Sequence, residues 1–366
     1  MQRALALAES ALRVVSPNPA VGCVITDASG QRVLGSGQTQ RAGGPHAEVM
    51  ALRDAQENGH SVVGATAWVT LEPCSHHGRT GPCCDALVAA GIGKVVAALA
   101  DPNPLVAGQG FERLRAAGVA VEVGPGAEDS RELNIGFFSR MVRKRPWLRM
   151  KAATSIDGKT ALANGTSQWI TSEAARADGH AWRARAGVIL TGVGTVLEDN
   201  PRLDVRLVDT PRQPHLVLVD SQLQTPPDAQ IFMAGREVWI YAAQPDEARA
   251  AALRARGATV SYLANAQGKV DLAAMLDDLA AREVNEVHAE AGHKLNGSLL
   301  REGLVDELLV YLAPKLIGEG LDLASRPHPG GPLARLDDAL ALEFRDVRRL
   351  GPDLRILARI AGRGNF

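Results

Sequence analysis

The sequence predicts two mixed α/β domains in tandem, and three observations carry the prediction. At about 150 residues per domain, a chain of 366 residues has room for two. Helical and strand periodicities alternate through both halves instead of segregating, the pattern of layered α/β folds. Between the halves, RMVRKRPWLRM (140–150) carries four arginines and one lysine around Pro146, a break that suits a boundary. The expected domains are therefore residues 1–145 and 146–366, and the cations of the joint are expected to snorkel on a solvated connector.

In the first half, residues 2–14 read as an amphipathic helix, and 20–26 (AVGCVIT) and 33–37 as strands. Pro45 opens the next helix (HAEVMALRDAQENG), since proline loses no hydrogen bond in a first turn. A strand at 65–71, a helix from Pro82 and a strand at 94–100 follow. The helix GQGFERLRAAG, a strand at 119–123 and a helix at 129–141 complete this half. Beyond Pro146, strands are expected at 148–154, 187–191, 215–220, 237–241, 259–263, 286–290 and 307–312. Helices lie between them, notably at 174–184, 271–282 and 294–302, and the tail AGRGNF is expected to fray.

Hydrophobic residues make up 46% and charged residues 22%, which excludes disorder and fibrous repeats. Lys and Arg number 40 against 41 Asp and Glu, so the net charge of −1 supplies no global field for nucleic acid or an anionic membrane. Arg3, Glu9 and Arg13 interrupt the first apolar stretch, which spoils a signal peptide, and no uncharged run is long enough for a membrane span. A cytoplasmic location is the expectation.

All four cysteines, Cys23, Cys74, Cys83 and Cys84, fall in the first quarter of the chain, which points to metal or reactivity rather than a disulfide framework. His46 with two cysteine thiolates is a ligand set matched to Zn2+, and three protein ligands leave a fourth position for water. Pro45 and Pro82 place two helix N-termini at this point, favourable for thiolates. Glu48, two residues beyond His46, is expected to be the proton shuttle. Such a set is the recipe of the H-x-E…P-C-x-x-C deaminases, which expel ammonia from an amidine-like ring carbon. Here eight residues, SHHGRTGP, separate Cys74 from Cys83 where two are usual. The competing reading is a closed structural zinc site with Cys84 or His76 as fourth ligand, but it gives Glu48 no task. Cys84 and Cys23 are expected to pack as small apolar residues.

PNPAVGCV (17–24), GGPHAEVMAL, ATAWVTLEPCSHHGRTGPCCDAL and DPNPLVAGQG (101–110), in that order, closely resemble the bifunctional riboflavin-biosynthesis deaminase–reductase family. The long spacer is that family's own variation. The resemblance implies zinc on His46, Cys74 and Cys83, Glu48 as acid and base, and Asn18 and Asp101 holding a pyrimidine at the mouth. Ala20 stands where the family often has Asn.

By itself the second half says less. The strand VNEVHAEAG runs into the helix KLNGSLL, offering backbone N–H groups to a phosphate. TGVGTV (191–196) is a weaker phosphate-loop signal, and neither segment is a G-x-G-x-x-G fingerprint. The resemblance continues through KAATSIDGKTA, GTSQWITS, LTGVGTVLEDNPRLDVR, VLVDS, AEAG and LVDELLVYLAPKLIG. It implies a reductase domain with a dihydrofolate-reductase-like α/β fold that uses NADPH, after a cytidine-deaminase-like α/β/α domain. Carried over by position, Ala153, Trp169, Thr195, Asp199 and Ser221 would contact the cofactor. The turn Gly292, His293, Lys294, Leu295, Asn296, Gly297 and Ser298 would do so as well. Ser167, Arg183, Leu203, Arg206 and Glu290 would contact the substrate, the arginines as charge-assisted clamps on its phosphate. Lys151 and Asp199 are expected nearest the hydride transfer.

Two positions depart from the family. Asp204 replaces a usual Thr or Ser, and an anion there weakens phosphate binding unless it turns outward. His293 replaces a frequent Pro. The implied chemistry is deamination of 2,5-diamino-6-(5-phosphoribosylamino)pyrimidin-4-one, then reduction of its ribosyl chain to ribityl. The partners expected are this small pyrimidine ribosyl phosphate and further copies of the chain, as dimer or tetramer, with no nucleic acid and no membrane.

Overall fold

Short, almost wholly buried runs at 22–26 and 66–69 build the middle of a sheet in the computed structural model, which describes residues 1–76, 81–103, 107–326, 328–329 and 331–366. Two compact units result, Met1–Lys144 and Arg145–Phe366. The first holds strands β1 (Gly22–Thr26), β2 (Val33–Gln38), β3 (Thr66–Val69), β4 (Lys94–Ala97) and β5 (Ala120–Val123), in the order β2-β1-β3-β4-β5. β1 is antiparallel to β2 and β3, while β3, β4 and β5 run parallel. Its helices are α1 (Gln2–Ala11), α2 (Ala47–Glu57), α3 (Cys83–Ala89), α4 (Gln109–Ala116), α5 (Ala127–Leu133) and α6 (Ile135–Arg143).

Glycines set how closely helices approach this sheet. A Cβ on Gly22 would stand 1.9 Å from the Ala4 carbonyl of α1, and one on Gly37 2.5 Å from the Ala51 amide of α2. Cys23 pairs with Gly37, so these two share a face and Gly22 looks the other way. Helices α1 and α2 therefore cover opposite faces. The expected single helix at 129–141 is two helices broken at Asn134. Its side chain is spent on Ala20, accepting the backbone N–H at 2.7 Å and donating to the carbonyl at 2.9 Å.

The second unit is built on β6 (Trp147–Ser155), β8 (Val188–Gly192), β9 (His215–Val219), β10 (Val238–Ala242), β11 (Ala258–Tyr262), β12 (Glu286–Ala289), β13 (Glu307–Ala313), β15 (Leu342–Leu350) and β16 (Asp353–Ile360). A small pair, β7 (Lys159–Leu162) and β14 (Gly320–Asp322), stands apart from this sheet. The nine strands run β11-β10-β9-β8-β12-β6-β13-β16-β15, every neighbouring pair parallel except the last two pairings, β13–β16 and β16–β15. Helices α7 (Glu173–Arg185), α8 (Val193–Asp199), α9 (Glu247–Ala255), α10 (Leu272–Ala281) and α11 (His293–Arg301) connect them. Alternate residues feed two cores. Val188, Leu190, Val217 and Tyr241 pack with Met275, Leu276 and Leu299, whereas Ile189, Leu216, Leu218 and Ile240 pack with Ala250 and Leu253.

Two expectations are corrected here, and one hairpin is added to them. Arg149 does not snorkel: it lies in central β6, 2% exposed, with ion pairs to Glu286 and Glu307 (both 2.8 Å) and its guanidinium over Trp182. The tail is tied down rather than frayed, since Ala361 N–H donates to Ala341 and the Phe366 ring lies 6.1 Å from Trp147. The hairpin β15–β16 went unread because its outer strand, LEFRDVRRL, is almost wholly exposed and has no apolar face for a period-2 pattern to mark. Among the described residues, no helix is long and apolar enough to cross a membrane.

Candidate active sites

In the first unit, His46 is the N-cap of α2, Cys74 follows β3, and Cys83 begins α3. The His46 Nδ1 lies 3.5 Å from the Cys74 Sγ and 3.3 Å from the Cys83 Sγ, and the Cys83 N–H donates to the Cys74 Sγ at 3.4 Å. The three ligand atoms lie within 4.8 Å of one another, and this is the one such cluster among the described residues. Residues 77–80 of the spacer lie outside the described residues.

The donor set fits a thiophilic dication. The Cys74 thiol falls to about 4, first through its hydrogen bond with Cys83, while Cys83 is pushed up by the same bond and by burial. Without a cation the pair thus holds one thiolate, and a dication makes two tenable. Neither alternative fourth ligand fits. Cys84 turns its Sγ to the Pro73 carbonyl at 3.0 Å, and His76 is exposed. Glu48 is 3% exposed in the first turn of α2, where burial, then the Cys74 charge, pushes its carboxyl up to about 7. Cys23 is buried in β1, as expected of a small apolar residue.

Asp101 lies on the loop after β4, half-buried, its carboxyl raised to about 6 by burial first and then by the charges of Glu72 and Cys74. Sequence reasoning passed over Glu72, two residues before Cys74. Its buried carboxylate accepts backbone N–H groups of Asp101 (3.1 Å), Gly108 (2.9 Å), Gly110 (2.9 Å) and Phe111 (3.4 Å). Asn18 lies on the loop before β1, its N–H bonded to the Val15 carbonyl at 2.9 Å.

The second unit has a cavity of about 530 Å³ beside the carboxyl ends of β6, β8 and β12. The sequence-expected residues lining it are Lys151, Ala153, Ser167, Trp169, Arg183, Thr195, Asp199, Leu203, Arg206, Glu290, Gly292, His293 and Asn296. Others expected there do not line it. Ser221 accepts the Val270 N–H with its Oγ, and Leu295 packs into the core. Gly297 is needed for packing, because a Cβ would meet the Ser325 carbonyl at 1.8 Å. Lys294 and Ser298 are joined to each other within α11, the Ser298 Oγ donating to the Lys294 carbonyl.

At the cavity, Glu290 is gripped by Arg183, Nε to Oε1 and Nη2 to Oε2 (2.9 Å), with the Lys151 Nζ 3.5 Å away. Burial opposes its charge, but Arg183 and Lys151 outweigh burial and hold the carboxyl well below its ordinary range. Asp199 is exposed on the rim at the end of α8, its carboxyl raised by burial and by Glu198. Gly292 caps α11 and leads its first turn onto the cavity, a setting that suits a cofactor phosphate. Sequence reasoning also missed Arg202, a cavity-lining residue between Pro201 and Leu203 with no signal of its own in the pattern. Asp204 turns inward, 1% exposed, and its charge is paired with Arg202 and Arg206.

A cysteine–histidine metal unit followed by an α/β unit with a cofactor-sized cleft defines a two-domain deaminase–reductase, and comparisons with known proteins agree. The family model for the cytidine and deoxycytidylate deaminase zinc-binding region matches residues 1–99, and that for the RibD C-terminal domain matches residues 146–356. The chain is 44% identical to the riboflavin biosynthesis protein RibD of Escherichia coli, covering 97% of this chain and 96% of that one. The crystal structure of RibD from Acinetobacter baumannii superposes with a TM-score of 0.86 at 38% identity, covering 98% and 97% of the two chains. A diaminohydroxyphosphoribosylaminopyrimidine deaminase/5-amino-6-(5-phosphoribosylamino)uracil reductase from Thermotoga maritima gives 0.85 at 30% identity, covering 99% and 97%. The chain belongs to the RibD family, the bifunctional deaminase–reductases of riboflavin biosynthesis, whose cofactors are zinc and NADPH.

Proposed function

We propose that residues 1–145 deaminate 2,5-diamino-6-(5-phosphoribosylamino)pyrimidin-4-one at the carbon bearing the 2-amino group, and that residues 146–366 then reduce the ribosyl chain to ribityl. His46, Cys74 and Cys83 hold the zinc, which when bound supplies Lewis-acid activation of water. Glu48 takes a proton from the attacking water and delivers it to the departing amine, a task suited to a carboxyl raised to about 7. Asp101 and Asn18 hold the pyrimidine.

In the second unit Ser167, Arg183, Leu203, Arg206 and Glu290 hold the substrate. Ala153, Trp169, Thr195, Asp199, Gly292, His293 and Asn296 hold NADPH, which when bound supplies the reducing equivalents. Lys151 and Asp199 stand nearest the reacting carbon, with Lys151 oriented by Glu290. The enzyme works in the cytoplasm as a homo-oligomer, and takes neither nucleic acid nor membrane as partner.

The observation that carries this reading is the buried Glu48 beside a His–Cys–Cys cluster, in one chain with the Arg183–Glu290–Lys151 cavity. Purified protein given zinc, NADPH and the diaminopyrimidinone is expected to release ammonia and oxidise NADPH in equal amounts. Ammonia without NADPH oxidation would remove the second half of the proposal.

A further inference from the structure

The segment 202–206 is fixed along its whole backbone by side chains from elsewhere. Arg236 donates to the Arg202 carbonyl (2.6 Å) and to the Leu203 carbonyl. Arg183 Nη1 donates to the Asp204 carbonyl at 2.8 Å. Gln213 bonds both backbone groups of Val205, at 2.7 and 2.9 Å, and His180 Nδ1 accepts the Arg206 N–H at 3.1 Å. Leu203 stands at φ 49°, a conformation a branched side chain keeps only when its surroundings impose it.

On this backbone Asp204 points inward and divides its carboxylate between two guanidiniums: Oδ2 to Arg202 Nη2 at 2.8 Å and Oδ1 to Arg206 Nη1 at 2.6 Å. The carboxylate is 2% exposed, while the Arg202 and Arg206 side chains are 53% and 45% exposed and line the cavity. Two positive charges and one negative leave this cluster at +1. Each guanidinium has five N–H donors and spends one on Asp204, so both retain donors for an oxyanion. Arginine side chains carry large rotamer entropy, and holding both in place before a ligand arrives lowers the cost of ordering them on binding.

We propose that Arg202 is a second cation for the substrate's phosphate, and that Asp204 is a positioning residue fixing Arg202 and Arg206 as a pair for a phosphomonoester dianion. This rests on the reading that this rim of the cavity takes the substrate. Two such dianions enter the reaction, the substrate's 5-phosphate and the 2′-phosphate of NADPH. The pair belongs to the former because Arg183, which grips Glu290, is also bonded to the Asp204 carbonyl.

The test is steady-state reduction of 5-amino-6-(5-phosphoribosylamino)uracil and of its dephosphorylated counterpart by the full chain, with NADPH and with NADH. Arg202→Ala is expected to raise KM for the phosphorylated substrate about tenfold, the scale of one charge-assisted contact, with a much smaller change in kcat. The KM for the dephosphorylated substrate and the preference for NADPH over NADH should stay as they were. Asp204→Asn is expected to show the same selective rise, which a merely structural loss would spread over both substrates; an equal rise for both overturns the role of Asp204. Should Arg202→Ala instead collapse the preference for NADPH, the phosphate is the cofactor's and the assignment is overturned. An unchanged KM in Arg202→Ala beside a raised one in Arg206→Ala overturns the pair and leaves the substrate reading of the rim standing. If neither arginine matters, that reading falls as well.

Discussion

The two units handle buried charge in opposite ways. In the first, two thiols and the carboxyls of Glu48 and Asp101 share one neighbourhood, and both carboxyls are raised, by burial first and then by the negative charge around them. The second balances itself: Glu290 sits between Arg183 and Lys151, and Asp204 between Arg202 and Arg206. One site is completed by a dication from outside. The other is complete as a scaffold and presents cations to anionic ligands. A deficit of positive charge thus marks a place for a metal, and a slight surplus a place for phosphates.

The largest effect follows from removing a ligand of the incomplete site. Cys83→Ala is expected to abolish zinc binding and bring ammonia release to background, while the deaminated substrate is still reduced by NADPH. Loss of both activities together would break the separation of the two sites. Glu48→Gln sharpens the contrast, because it should lower ammonia release by about 10²–10⁴-fold with zinc content by metal analysis unchanged. Full activity in that variant would end the shuttle assignment.

In the self-balanced unit, Glu290→Gln leaves Arg183 and Lys151 without their shared anion. It should cost about 3 kcal/mol, read as a lower urea midpoint of the second unit's transition, and an unshifted midpoint would contradict the compensation argued here. An effect of at most that size comes from His180. Burial first, then Arg183 and Arg206, lower its imidazole from 6.5 to about 4. Between those values the unfolded chain takes up a proton that the native state refuses. Stability is therefore fully present above pH 6.5 and declines as pH falls toward 4, by on the order of 3 kcal/mol at most. Glu290, depressed in the fold, adds to the decline only at the bottom of this window, since its contribution is lost as pH falls through its ordinary 4.5 and below. The slope should flatten in His180→Asn, and an identical slope would acquit His180.

The same contrast explains what could be read from the sequence. His46, Glu48, Cys74 and Cys83 announce themselves because each stands beside a proline or at a helix start, and because thiols and imidazole in one short stretch have few other uses. The second site is assembled from residues between Lys151 and Asn296. Its chemistry is ordinary arginine and glutamate, so only the resemblance to a family singled them out, and Arg202 escaped. Arg149 was misread for a related reason: linear composition cannot say that a cation stands directly across from Glu307 in the middle of a parallel sheet. The inward turn of Asp204 was likewise hidden, since its partners are two residues away on either side.

Glu72 has one more consequence. Its carboxylate ties Asp101, Gly110 and Phe111 to the chain two residues ahead of Cys74, and Gly110 lies so close to Pro73 that a Cβ would reach its carbonyl at 2.1 Å. The distance along the chain from Glu72 to Cys74 is thereby frozen. The extra length of this chain's spacer, eight residues in place of two, falls on the far side of Cys74 and leaves that brace untouched.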